Sequence, residues 1–231
     1  MIDERKIEGG IILIDKPLNW TSFDVVAKLR NVLHYKKIGH AGTLDPLASG
    51  LLIVCFGRFT KRIEEIQLLK KTYIAEIKLG ETTPSFDLET EVDGVYETAH
   101  ITEKLFNEKL AEFRGTIQQL PPKFSAVKVN GVRAYKYARK GEEVELKYRE
   151  VHIDEISVLD YSLPKVTLKV VCSKGTYIRS LARDIGATLN SGAHLTKLER
   201  TAIGDFHVKN AREPKSFTSE EDFYLHRILE I

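Results

Sequence analysis

The sequence narrows its own interpretation first through scarcity. Only 2 of its 231 residues are cysteine. Both, Cys55 and Cys172, sit inside strand-like apolar runs, so two buried thiols are expected rather than a disulfide framework. The longest uninterrupted apolar runs are Ile11 to Ile14 and Leu51 to Phe56, far below the roughly 18 to 20 residues that cross a bilayer. The first residues, Met1-Ile2-Asp3-Glu4-Arg5-Lys6, mix both charges and lead into Gly9-Gly10, not into an apolar core with a small-residue cleavage site. A cytoplasmic protein without membrane association is the expectation. Neither sign of charge dominates: 35 Lys and Arg against 33 Asp and Glu leave a net +2. Composition therefore does not mark a nucleic-acid binder, and such a partner would have to be met by a local patch. No G-x-x-x-x-G-K-[ST], G-x-G-x-x-G or G-x-S-x-G element occurs, which removes the sequence case for an NTPase, a dinucleotide enzyme or an α/β-hydrolase. The 7 histidines show no close pairing with one another or with the cysteines, so no metal site is expected. Whatever chemistry exists must come from ordinary side chains.

What is present suffices for a core, with 42% hydrophobic residues. Ile11 to Asp15 and Gly50 to Phe56 read as buried strands, and Tyr73, Ala75, Ile77 and Leu79 alternate with polar neighbours as a half-buried strand does. Thr21 with Asp24 resembles a capping box, followed by a helix with Val25, Val26, Leu29, Val32 and Leu33 on one face. Further helices are expected at Lys61 to Leu69, Thr102 to Phe113, Val132 to Lys140 and Thr176 to Asn190. Further strands are expected around Val151 to Tyr161 and Lys165 to Cys172. Strands and helices are interspersed without a βαβ rhythm, which predicts an α+β fold with a mixed sheet. Charge clusters locally: eight Lys and Arg against three acids lie between Lys123 and Arg149, and six acids without a base between Glu81 and Glu97.

The stretch Gly39-His40-Ala41-Gly42-Thr43-Leu44-Asp45-Pro46-Leu47-Ala48-Ser49-Gly50-Leu51-Leu52 places one carboxylate among small and apolar residues. Pro46 biases Asp45 away from helical dihedrals, and the glycines permit turns and close approach by a large ligand. A carboxylate in such surroundings needs a cationic partner to stay ionised. Arg179, in the first turn of the last long helix and outside any charge run, is the best candidate on local context.

These residues resemble the TruB-type tRNA pseudouridine synthases. The loop is similar to their catalytic loop, and further segments match in order. They are Lys16-Pro17 with Thr21-Ser22, Lys71-Thr72-Tyr73, Thr83-x-Ser85-x-Asp87, Pro121 to Lys128 with Gly131 and Tyr135, Gly175 to Ala182 with Asp184, and Leu198-x-Arg200-Thr201-x-Ile203-Gly204-x-Phe206. The resemblance implies a mixed, mainly antiparallel central sheet flanked by helices, in a catalytic domain over residues 1–210 with a short tail at 211–231 that has room for one helix. It implies isomerisation of uridine 55 in the tRNA T-loop: the N1–C1′ bond breaks, the base turns, and C5 rejoins the sugar. No cofactor or metal is required. Asp45 would be the reacting carboxylate, Tyr73 the aromatic platform for the flipped base, and Arg179 the partner of the aspartate. His40 would contact the RNA near the vacated position. Asp87 would steady the Tyr73 region or the RNA, Leu198 would line the uracil pocket, and Lys16 would touch phosphate or hold the loop. Lys123 and Lys128, in the basic segment, would meet the RNA backbone of the T-stem-loop. A monomer is expected.

The sequence departs from the family pattern at Asn19 and Thr90, where glycine is usual, and lacks the small RNA-binding domain often found after the catalytic one. A non-catalytic RNA-binding module on the same scaffold is the main alternative. An Asp-dependent glycoside hydrolase would need a second carboxylate in a matching context, and none stands out.

Overall fold

The computed structural model describes residues 9–125, 127–129, 131–138, 140–142 and 144–229. In chain order its elements are β1 (Gly9–Lys16), α1 (Ser22–Leu33), β2 (Ile38–His40), β3 (Ala48–Gly57), α2 (Ile63–Leu68), β4 (Lys71–Leu79), β5 (Glu81–Thr82), β6 (Gly94–Val95), α3 (Glu103–Ala111), β7 (Gly115–Gln119), β8 (Lys128–Val129), β9 (Val132–Arg133), α4 (Ala134–Ala138), β10 (Arg149–Ser162), β11 (Lys165–Cys172), α5 (Ile178–Thr188), β12 (Ala193–Ile203), β13 (Phe206–His207) and α6 (Glu220–His226). The fold is α+β with a mixed, mainly antiparallel sheet, as the sequence predicts. The chain divides into two compact units, Met1–Thr72 with Glu199–Ile231, and Tyr73–Leu198. Both passages of the chain from one unit to the other fall inside strands, β4 and β12.

In the first unit the strand order is β1-β3-β12, with β2 on β3 and β13 on β12. β1 runs antiparallel to β3 from Gly9↔Gly57 to Lys16↔Gly50. One face of this pair, Ile12, Ile14, Leu52, Val54 and Phe56, packs with Val25, Leu29 and Leu33 of α1 and with Phe217 and Phe223. The other face, Ile11, Leu13, Leu51, Ile53 and Cys55, packs with Phe59, Ile66 and Ile203. Burial on both faces is why these strands read as continuous apolar runs instead of alternating ones. The capping box of α1 is formed: Thr21 Oγ1 accepts from the Asp24 N–H at 3.0 Å, and Asp24 accepts from the Thr21 N–H at 2.8 Å. Asn19 takes φ +65°, the left-handed conformation that asparagine tolerates better than most residues. The C-terminal segment returns to β1, where Ile228 bridges Ile11.

In the second unit the order is β12-β4-β11-β10-β7. Tyr73, Ala75, Ile77 and Leu79 of β4 and Val166, Leu168, Val170 and Cys172 of β11 are buried at every second position. α5 buries Ile178, Leu181, Ala182 and Ile185. Two expectations are corrected here. Helix does not begin at Val132: Val132–Arg133 pairs with Lys128–Val129 as a hairpin, Gly131 taking φ +81°, and α4 starts only at Ala134. The segment expected as one helix over Lys61 to Leu69 begins as a 3-10 turn, Arg58–Arg62, and becomes α-helical at Ile63. Both cysteines are buried and neither is in a disulfide, and burial pushes the Cys55 thiol up to about 12.

Candidate active site

The loop that carries Asp45 joins β2 to β3 and is held through its backbone by buried side chains of the first unit. Ser22, the first residue of α1, accepts from the Leu44 N–H at 2.9 Å and donates to the Leu44 carbonyl at 3.1 Å. Lys16, at the end of β1, is fully buried. Its Nζ donates to the carbonyls of Trp20 at 2.6 Å, Pro17 at 2.9 Å and Pro46 at 3.5 Å. The Asn19 N–H also donates to Pro46 O, at 2.8 Å. Arg200 of β12 sends Nε to Leu51 O at 2.8 Å, Nη2 to Gly42 O at 3.1 Å and Nη1 to Thr43 O at 3.4 Å. Among the described residues neither Lys16 nor Arg200 forms an ion pair. Burial lowers the Lys16 pKa to about 8, the charge of Arg200 adds to that fall, and the Asp45 carboxylate opposes it. Asp45 and Lys16 are thus brought within electrostatic reach, and of the two tasks expected of Lys16 the geometry supports holding the loop. His40 on β2 is half-buried, with its Nδ1 buried and without a hydrogen-bond partner. Burial, with the Arg200 charge as a smaller cause, pushes its pKa down, so the imidazole is neutral at pH 7.

Arg179 is the hub of the second unit's polar cluster. It lies in the first turn of α5 and is 3% exposed, so it is no surface residue. Its Nη1 faces the Asp87 carboxylate at 3.4 Å and donates to Ser85 O at 3.3 Å, and its Nη2 donates to Phe124 O at 2.9 Å. Asp87 is itself buried. Its Oδ1 accepts from the Glu89 N–H, while Thr83 and Ser85 hydroxyls donate to its carbonyl. Thr90 closes this loop by its side chain: its hydroxyl accepts from the Ser85 N–H at 3.1 Å. α5 also grips the segment after β7. Gln119 exchanges hydrogen bonds with the Tyr177 backbone, while Ser180 and Arg183 both donate to Leu120 O.

The structure therefore groups Lys16, His40 and Asp45 in the first unit, and joins Asp87 to Arg179 in the second. Tyr73 opens the second unit on β4 and Leu198 closes it on β12, both buried. Lys123 is exposed beside Phe124, and the side chain of Lys128 lies outside the described residues. Sequence reasoning gave no role to Ser22, Gln119 or Arg200, although Ser22 and Arg200 stood inside quoted motifs. The signal for Arg200 was a charge in a strand next to Ala202 and Ile203. Among the described residues, no three His, Cys, Asp or Glu side chains gather in a metal-binding arrangement.

A family model described as TruB family pseudouridylate synthase, N-terminal domain, matches residues 30–178. The chain belongs to the TruB family of pseudouridylate synthases. A tRNA pseudouridine synthase B of Parabacteroides distasonis is 57% identical to it over 231 residues, 97% of each chain. One of Phocaeicola vulgatus is 57% identical over 216 residues, 91% of this chain and 92% of its own. Among solved structures, a chain of a Cbf5-Nop10-Gar1 complex superposes with a TM-score of 0.68 at 33% identity, over 88% of this chain and 51% of that one. The chain spans about half the length of that structural relative. As a TruB-family member it is a pseudouridine synthase, an isomerase. The matched residues include His40, Asp45, Tyr73 and Asp87 and stop one short of Arg179.

Proposed function

We propose that this TruB-family chain converts uridine 55 in the T-loop of tRNA to pseudouridine, acting as a cytoplasmic monomer without cofactor or metal. Residues 1–210 carry the reaction, and the tail 211–231 contributes packing through Phe217 and Phe223. The observation that carries this reading is a carboxylate on a loop fixed by two buried cations, in a chain whose curated relatives are named tRNA pseudouridine synthase B.

The reaction breaks N1–C1′ and forms C5–C1′; the proton lost from C5 is balanced by one gained at N1. A target base stacked inside folded RNA must first be everted, at a cost of roughly a few kcal/mol. Asp45 supplies the ionised carboxylate at the sugar or base, Tyr73 stacks on the everted uracil, and Leu198 lines its pocket. Arg179, kept in place by Asp87, supplies positive charge to the reacting centre. Neutral His40 contacts the RNA at the position the base has left. Lys123 and Lys128 meet the backbone.

The test is incubation with an unmodified T-stem-loop RNA and mapping of pseudouridine. Wild type is expected to modify the one T-loop uridine, and Asp45→Asn to lose at least about 1000-fold in rate while still binding the RNA. RNA binding without product in wild type would favour the non-catalytic RNA-binding module; product at another uridine would overturn the site assignment.

A further inference from the structure

We propose that Arg200 is a positioning residue of this enzyme: its guanidinium fastens the two ends of the Asp45 loop to each other and thereby sets where the carboxylate stands. The inference rests on the reading of Asp45 as the reacting group.

Three observations carry it. The first is the choice of partners. Gly42 and Thr43 precede Asp45, Leu51 follows it, and one guanidinium 1% exposed to solvent donates to all three carbonyls. A planar fork with five N–H donors in fixed directions reaches three acceptors at once, whereas an ammonium is a point charge on a flexible stem. The second is the seating of the loop on the same residue. Gly50 takes φ +99°, and a Cβ there would strike the Arg200 carbonyl oxygen and lie 2.9 Å from its backbone nitrogen. Gly42 takes φ +109°, with Arg200 Nη1 3.7 Å from the position of a Cβ. Gly50 thus lets the backbone close against that of Arg200, while Gly42 is required by its positive φ, a Cβ there meeting the guanidinium only at ordinary contact distance. The third is the reach of its charge, which acts on both Lys16 and His40. A core that needed only filling would be served by an apolar side chain; a guanidinium committed to loop carbonyls fixes geometry instead.

The test uses Arg200→Lys and Arg200→Gln in the full chain, with single-turnover rate, RNA affinity and amide hydrogen exchange measured together. The expected result is a rate loss of 30-fold or more with RNA affinity within threefold of wild type. Exchange at the amides of residues 41–51 should quicken at least tenfold while that of β10 and β11 is unchanged. Turnover within threefold of wild type, equal losses of rate and affinity, or faster exchange spread over the whole chain would overturn the proposal. So would unfolding of both variants, which would make Arg200 a purely structural arginine. If wild type forms no pseudouridine, the functional reading fails by itself. Loop exchange then still decides the fastening: quickening confined to residues 41–51 supports it, and no change overturns it.

Discussion

Arg200 in the first unit and Arg179 in the second are both buried guanidiniums, yet their charges are balanced in different ways. Arg179 faces a buried carboxylate, Asp87, and also donates to the carbonyls of Ser85 and Phe124. Among the described residues Arg200 donates to carbonyls only, and so does its neighbour in charge, Lys16. Carbonyl dipoles satisfy the donors without cancelling the charge. The difference teaches what stands beside each cation: the second unit sets a carboxylate against Arg179, while in the first, two cations held by carbonyls lie around the loop that carries Asp45. Their field favours negative charge in the loop against the cost of desolvating it.

The contrast can be broken most forcefully at Asp87. Asp87→Ala removes a buried carboxylate that faces the Arg179 charge, and a stability loss of about 3 to 5 kcal/mol is expected in urea unfolding. A loss below about 1 kcal/mol would mean that Arg179 is balanced elsewhere. Next in size, Arg179→Ala should lower turnover by about 100- to 1000-fold while changing RNA affinity far less. Comparable losses in rate and affinity would make it a phosphate contact. Ser22→Ala leaves the Leu44 N–H and carbonyl buried without their hydroxyl and should cost about 1 to 3 kcal/mol, read by thermal unfolding. The smallest effect is on pH dependence. Because the folded Lys16 pKa is lowered to about 8, the ammonium is present below that pH and lost above it. Turnover should fall several-fold above pH 8, and Arg, which keeps its charge, should remove this alkaline limb in Lys16→Arg. The same shift acts on stability with a defined sign. Between about pH 8 and the ordinary lysine pKa the unfolded chain holds the proton that the folded chain has released, so this group's contribution to stability rises with pH there.

Much of the fold could be read directly because local rules and tertiary outcome agree. The alternation in β4 and β11, the capping box at Thr21 and the apolar face of α5 each express one period or one cap. β12 was harder to see: Ala193 to Ile203 carries Thr, Lys, Glu and Arg among its apolar residues, and one of its charges, Arg200, points inward. β7 is short, half polar and last in the strand order, so little apolar signal was available. At the site, Asp45 stood out as a carboxylate in apolar surroundings, but the residues that hold its loop did not. A buried lysine or arginine looks like any other charge until its acceptors are known, and these acceptors are backbone carbonyls that every residue type carries.

Residue order alone settled the class of fold and the family, and singled out Asp45 as the carboxylate to test, because periodicity, turn chemistry and ordered motifs are local properties of the chain. Only folding in three dimensions decided which acceptors the buried cations meet: Asp87 among those of Arg179, loop carbonyls for Lys16 and Arg200. Partnerships between residues tens to more than a hundred positions apart depend on where strands place them, and burial then turns those distances into charge.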